Sequence, residues 1–485
     1  MRGTSSAHRR ATADTAFRNP IVVVMHMQNF LRLCRTFRTV MAPRNPDWQT
    51  LASWPLKAEA IERRLEPARD APPPAYRTAF VTPLRHDVRG MVRAIDRTYD
   101  QDVADGRAKG TARFHGRLRT ETLMGAVVDW TEPKRLQGLT RFAAVVSDIY
   151  RAGGLTGAGD GEGALPPMVT FASPPGSGAS TMNRQLVQET CGAAIGVVSL
   201  PPNLHDRPLT WGALAHEVAG HDVIHTVEGL LPDLQAALPA MGVPADWRPV
   251  WHDWLEEAAA DVLAVLNVGP TPAVSLAAYL AAARSDDPVP PGPLGTLGFI
   301  LYSRLGRPAD EHPIDLLRVH LAIGVVETLD AAVRDAWLPL LRQIAERAAR
   351  KPSFAADPPH HELRDIPVVS NGARSRPNIP LQEATEVARK VGAGLVRTKV
   401  AALDGASLAD KICWDADDEA CARRIRDAAL RGDPIRGMGD CGHLLAGATM
   451  ALLEGGDEGR LTQALNEALS AAYAADPVYE GYMPA

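Results

Sequence analysis

The sequence predicts a mainly α protein with a small β element, an α+β arrangement, and three observations carry that reading. Apolar residues recur at three- and four-residue spacing over long stretches, as in Val88-Met91-Val92-Ile95 and Leu136-Leu139-Phe142-Val145-Ile149. Strand-like runs are few and short: Met168 to Phe171, and Ala194 to Leu200, which is stopped by Pro201-Pro202. The chain has 485 residues, 46% hydrophobic and 22% charged, a globular composition with enough material for a large core.

In chain order, residues 1–47 form an Arg-rich segment, with eight arginines before residue 47 against the single acid Asp14. Its apolar stretch Ile21 to Met25 is interrupted by His26, Gln28 and Asn29, well short of the roughly 18–20 apolar residues of a spanning helix. It reads as a mobile or peripheral segment of a cytoplasmic protein, with an export or transit segment as the alternative. Residues 48–152 form a helical region broken early by Pro72-Pro73-Pro74. Residues 153–350 form the core: a Gly/Pro-rich stretch from Gly153 to Gly178, then a helix from about Trp211 with Thr210 as its cap. A second helix spans Trp251 to Leu266, closed by Gly269-Pro270. A Pro/Gly-rich connection over 286–298 precedes a third helix, which starts at Pro313 and runs to about Leu329. Residues 351–380 read as a linker and 381–485 as a C-terminal helical region.

A net charge of −5 gives no global basic field, so neither nucleic acid nor a membrane is the expected partner; a peptide or small-molecule substrate is. Five widely spread cysteines without a CxxC pair indicate neither a disulfide framework nor a cysteine zinc site.

Three of the 14 histidines fall within ten residues, His216, His221 and His225, and this cluster carries the chemistry. Each residue of an α-helix turns about 100°, so an i,i+4 pair lies about 40° apart and can grip one ion, whereas His216 and His221 at i,i+5 would diverge by about 140°. They share a metal only if the helix contains a π-type turn, which absorbs one extra residue; Gly220 lowers the backbone cost. The rival pair is His221 with His225, at undistorted i,i+4 spacing, with Asp222 instead of Glu217 after the first ligand. The second helix adds Glu256, Glu257 and Asp261 within an otherwise apolar stretch, where unpaired carboxylates are costly. Glu257 and Asp261, four apart, share a face, so Glu257 can ligate a metal while Asp261 accepts the spare ring N–H of a ligating histidine. Glu256 is left to support a ligand or to face solvent.

Together, His216-Glu217-x-x-Gly220-His221 and Glu256-Glu257-x-x-x-Asp261 resemble the dipeptidyl peptidase III family of zinc metallopeptidases, whose signature is an HExxGH helix followed by an EExxxE/D helix. The resemblance covers about 50 residues, Leu214 to Leu266. It implies a zincin-like metallopeptidase core in which His216, His221 and Glu257 hold Zn2+, Glu217 is the general base and Glu256 supports a ligand; His225 remains the alternative ligand. Three protein ligands leave a position for water, the arrangement of a catalytic site. His312, Arg318 and His320 are the candidate oxyanion donors, with His443 and the Tyr279/Tyr302 pair behind them. The Ile195–Leu200 segment suits either an edge strand that holds an extended peptide or an internal strand of a small sheet. The expected function is zinc-dependent peptide hydrolysis; the alternatives are a zinc hydrolase or lyase for a small non-peptide substrate, and a non-catalytic helical protein with a structural metal.

Overall fold

The amphipathic runs become helices where their spacing predicts. The computed structural model describes residues 20–40, 56–104, 111–152, 165–172, 179–283, 313, 315–348, 350–351, 361–362, 365–366, 379–479 and 482. Its N-terminal part supplies α1 (Pro20–Val40), α2 (Ala58–Leu65), α3 (Thr82–Ala104), α4 (Thr111–Val128) and α5 (Pro133–Ala152). Val88, Met91 and Val92 of α3, and Leu139, Phe142, Val145 and Ile149 of α5, are buried. Helix α1 corrects the expectation of a peripheral segment for residues 20–40. Its Met27, Phe30, Leu33 and Phe37 form a buried stripe, and Asn29 Nδ2 donates to the Leu453 carbonyl at 2.8 Å. The polar residues between them occupy the other face of the helix, which is why an apolar run ending at Met25 understated its burial.

Three short strands form the small β element: β1 (Met168–Thr170), β2 (Ser180–Met182) and β3 (Val197–Ser199), in the order β1-β3-β2. β3 pairs parallel with β1 (Met168 opposite Val197) and antiparallel with β2 (Ser180 opposite Ser199). Of the two expectations for the Ile195–Leu200 segment, the internal strand is the one the structure shows. Its residues are buried without alternation because both faces are covered. The strand with a single partner beside the histidine segment is β2, whose Ser180 is exposed.

Helix α6 (Arg184–Cys191), capped by the Asn183 side chain, connects β2 to β3. No α-helix starts at Trp211. Pro208–Ala213 is a 3-10 turn, and the Thr210 hydroxyl donates to the Arg207 carbonyl at 2.7 Å instead of capping. Trp211 is buried; its indole N–H bonds the Leu204 carbonyl at 3.0 Å, and its ring packs 5.6 Å from that of Phe142. This anchors the chain where it enters the histidine segment.

The rest is helical: α7 (Arg248–Val268), α8 (Thr271–Ala283), α9 (Asp315–Val326), α10 (Ala331–Ala348), α11 (Leu381–Arg397), α12 (Ala416–Arg431), α13 (Cys441–Leu453) and α14 (Glu458–Ala475). α7 runs through the core with Val262 to Leu266 buried, and α9 packs beside it. In the region read as a linker, two short antiparallel pairs join Arg350–Lys351 to His361–Glu362 and Asp365–Ile366 to Ile379–Pro380. Among the described residues, no helix is long and apolar enough to cross a membrane.

Candidate metal centre

The extra residue between His216 and His221 is absorbed as the spacing requires: His216–Asp222 is a π-helical segment, and the chain returns to α geometry over Val223–Thr226. The wider turn brings both rings to one side, with His216 Nε2 and His221 Nε2 3.2 Å apart and the ring planes nearly perpendicular at 88°. Gly220 sits where this segment meets α7. A Cβ there would lie 2.3 Å from Ala260 Cβ and 2.6 Å from Ala260 Cα. Ala260 separates Glu257 from Asp261, so the missing side chain lets the histidines settle against the acidic face of α7.

Glu257 completes the group: Oε2 lies 3.2 Å from His216 Nε2 and Oε1 lies 3.3 Å from His221 Nε2. One donor atom from each of His216, His221 and Glu257 falls within 4.8 Å of the others. Two ligands about 2.0–2.1 Å from a tetrahedral zinc stand about 3.3 Å apart, so the 3.2 Å spacing of the two nitrogens fits that ion, with the carboxylate beside them. Two imidazoles and a carboxylate are also a donor set zinc takes.

The far ring nitrogens fix the orientation. His216 Nδ1 donates to Asp261 Oδ1 at 2.9 Å and His221 Nδ1 to Glu256 Oε1 at 3.0 Å, which leaves each Nε2 facing the shared point. Asp261 does what its i,i+4 relation to Glu257 predicts, and Glu256 supports a ligand instead of facing water alone. The rival pair also converges, on a carboxylate instead of on the three-residue group: His225 Nε2 donates to the same Glu256 Oε1 at 2.9 Å.

Charge follows this geometry. Burial opposes a proton on His216, but the hydrogen bond and charge of Asp261, with Glu257, outweigh it and raise its pKa above the ordinary value. Burial likewise opposes charge on His221, and Glu256 and Glu257 lift its pKa well above the usual range. Burial would raise the Glu257 carboxyl, yet the two histidines hold it well below the usual carboxylate range. A metal bound here would take the place of the protons on the two imidazoles, since a ligating histidine is neutral.

Glu217, directly after the first histidine, is half-buried. Its Oε2 accepts a hydrogen bond from Thr181 Oγ1 at 2.8 Å, so strand β2 steers the candidate base. Asp222, the base of the rival pairing, is fully buried and accepts from the Arg184 backbone N–H at 3.1 Å; burial pushes its carboxyl up to about 6.

Arg318, from α9, is buried. Its Nε and Nη2 each donate to Asp261 at 2.8 Å, and Nη2 lies 3.6 Å from Glu257 Oε2 and 3.4 Å from His216 Nε2. Burial disfavours its charge, but Asp261 and Glu257 hold it protonated. Behind it, Val265, Leu276, Leu280 and Val319 line a narrow apolar pocket, a low-dielectric wall that strengthens the pair.

Among the described residues, Arg318 is the candidate oxyanion donor that the structure brings to the triad. His320 turns to Arg389, whose Nε donates to its Nδ1 at 3.3 Å; burial and that guanidinium push its pKa down to about 4. His312 and Tyr302 lie outside the described residues. His443 bonds Asp418 at 3.0 Å, and Tyr279 packs edge-on to Phe37. Thr181 is not foreseeable from the sequence, because a polar residue beside a Gly/Pro-rich stretch carries no signal for a contact 36 residues away. Compared with protein-family models, curated proteins and solved structures, the chain finds no match in any of the three.

Proposed function

We propose that the chain is a zinc-dependent hydrolase with peptides as its substrate class. The observation that carries this reading is the π turn: it closes His216 and His221 on Glu257 and leaves Glu217, the next residue, half-buried and hydrogen-bonded at the same segment. A structural metal site has no use for a carboxylate base beside its first ligand.

His216, His221 and Glu257 would hold the ion, and when bound zinc supplies Lewis acidity, lowering the pKa of water toward about 7 and polarising a carbonyl. Glu217 takes the proton from the attacking water and returns it to the departing amine. Thr181 fixes the carboxylate for both transfers. Arg318, locked by Asp261, keeps a permanent positive charge beside His216 and Glu257 and so holds both acids of that side of the site ionised. The peptide assignment draws on the likeness of the two motifs to dipeptidyl peptidase III, and on β2, an edge strand next to Glu217 suited to main-chain hydrogen bonds with an extended chain.

Metal analysis of the purified protein, with hydrolysis of a broad peptide library by wild type and Glu217→Gln, tests the proposal. Zinc in both proteins with cleavage by wild type alone supports it. Zinc without cleavage transfers the site to a small non-peptide substrate, and failure to bind added zinc removes the reading.

A further inference from the structure

We infer that His225 is a positioning residue for the metal centre: it anchors Glu256, and Glu256 holds the His221 ring. The inference rests on the zinc reading of His216, His221 and Glu257. The three acids of the site differ in exposure: the Glu256 side chain is 35% exposed, against 10% for the ligand Glu257 and 6% for Asp261. A glutamate open to water has several rotamers and exchanges partners readily, so a single hydrogen bond from His221 Nδ1 would hold it loosely. His225 adds a second donor to the same oxygen, Oε1, at 2.9 Å beside the 3.0 Å bond from His221.

The backbone supplies the placement. Val223–Thr226 resumes α geometry after the π segment, so His225 lies one α turn beyond His221 and both rings reach the acid between them. The other ligating imidazole has an equivalent arrangement: His216 rests on Asp261, which is held by two 2.8 Å bonds from Arg318. Each ligand thus has a carboxylate, and each carboxylate has its own anchor. This gives a purpose to a histidine that the double motif does not require.

The test is a chelator-competition titration with zinc on the full-length protein, with folding followed by circular dichroism. Losing the outer partner of a ligating histidine typically costs 10–100-fold in metal affinity; His225 stands one step further out, so His225→Ala is expected to weaken zinc binding about tenfold. His225→Gln keeps an amide N–H near the position of Nε2 and should stay within about threefold of wild type. On a Glu256→Ala background, His225→Ala should cause no further loss, because the effect runs through that carboxylate. A wild type that binds zinc while His225→Ala binds equally well overturns the role of His225 alone. Equal losses from Ala and Gln, or an undiminished loss on the Glu256→Ala background, also overturn it. A wild type that binds no zinc overturns the metal reading and this role together.

Discussion

Gly220→Ala tests whether the centre depends on how closely the π segment approaches α7. The added methyl would stand 2.3 Å from Ala260 Cβ and 2.6 Å from Ala260 Cα, where ordinary contact begins near 3.4 Å. The nearest atoms belong to the backbone and Cβ of α7, which no rotamer change can move, so the two segments must part by about 1 Å to restore normal contact. Overpacking of this kind costs about 1–3 kcal/mol, and a rigid helix on both sides places this case near the upper end. The same displacement carries His216 and His221 away from Glu257. Ligand distances tolerate only about 0.2 Å, so zinc affinity should fall at least about tenfold. Denaturant unfolding of the metal-free protein reads the first effect, and chelator competition reads the second. Adding Ala260→Gly removes the Cβ contact but leaves Cα at 2.6 Å, so rescue should be partial. A Gly220→Ala protein with wild-type stability and wild-type zinc affinity would refute the reasoning.

Two further perturbations address the surroundings of the site and the electrostatics of the core. Asp261→Asn takes from the buried Arg318 guanidinium its closest ion partner, leaving Glu257 at 3.6 Å, and replaces the charged acceptor of the His216 ring with a neutral one; breaking such a buried pair costs about 3–5 kcal/mol, and changing the imidazole's outer partner about 10–100-fold in metal affinity. Unfolding and zinc titrations that change by less than about 1 kcal/mol and threefold would contradict this account of the pair. Asp148 bonds the Cys441 backbone N–H at 2.8 Å, and burial, aided by Asp440, raises its pKa to about 6. The folded state then holds this proton more tightly than the unfolded state. The contribution of Asp148 to stability therefore falls as pH rises from about 4 to about 6. Asp148→Asn should match wild type near pH 4 and gain about 2–3 kcal/mol over it by pH 7. A gap that does not widen across that range in urea titrations would refute the assignment.

The parts of the site carried by local spacing were legible in the sequence. The i,i+5 spacing of His216 and His221 demanded a π turn for both to share an ion, and Glu257 with Asp261 at i,i+4 had to share a face; both hold. The helices of residues 48–152 followed from their apolar period. What could not be read depends on contacts between distant segments. The order of three short strands is fixed by what covers them, so the sequence alone leaves β3 open between an edge and an internal strand, and burial of both its faces decides for the centre. Thr181 reaches Glu217 only because β2 lies against the π segment. The i,i+4 spacing of His221 and His225 correctly signalled convergence but could not say on what, since Glu256 arrives from another helix. Arg318 and His320 are two residues apart on α9, and the helix turn sends one to the triad and the other to Arg389.

Zinc stoichiometry at saturating metal, measured on wild type, His221→Ala and His225→Ala, tests the central claim most directly. The account predicts one bound zinc per chain in wild type and in His225→Ala, and none in His221→Ala. A His225→Ala protein that loses its zinc, or a His221→Ala protein that keeps it, would contradict a centre built across the π turn from His216, His221 and Glu257.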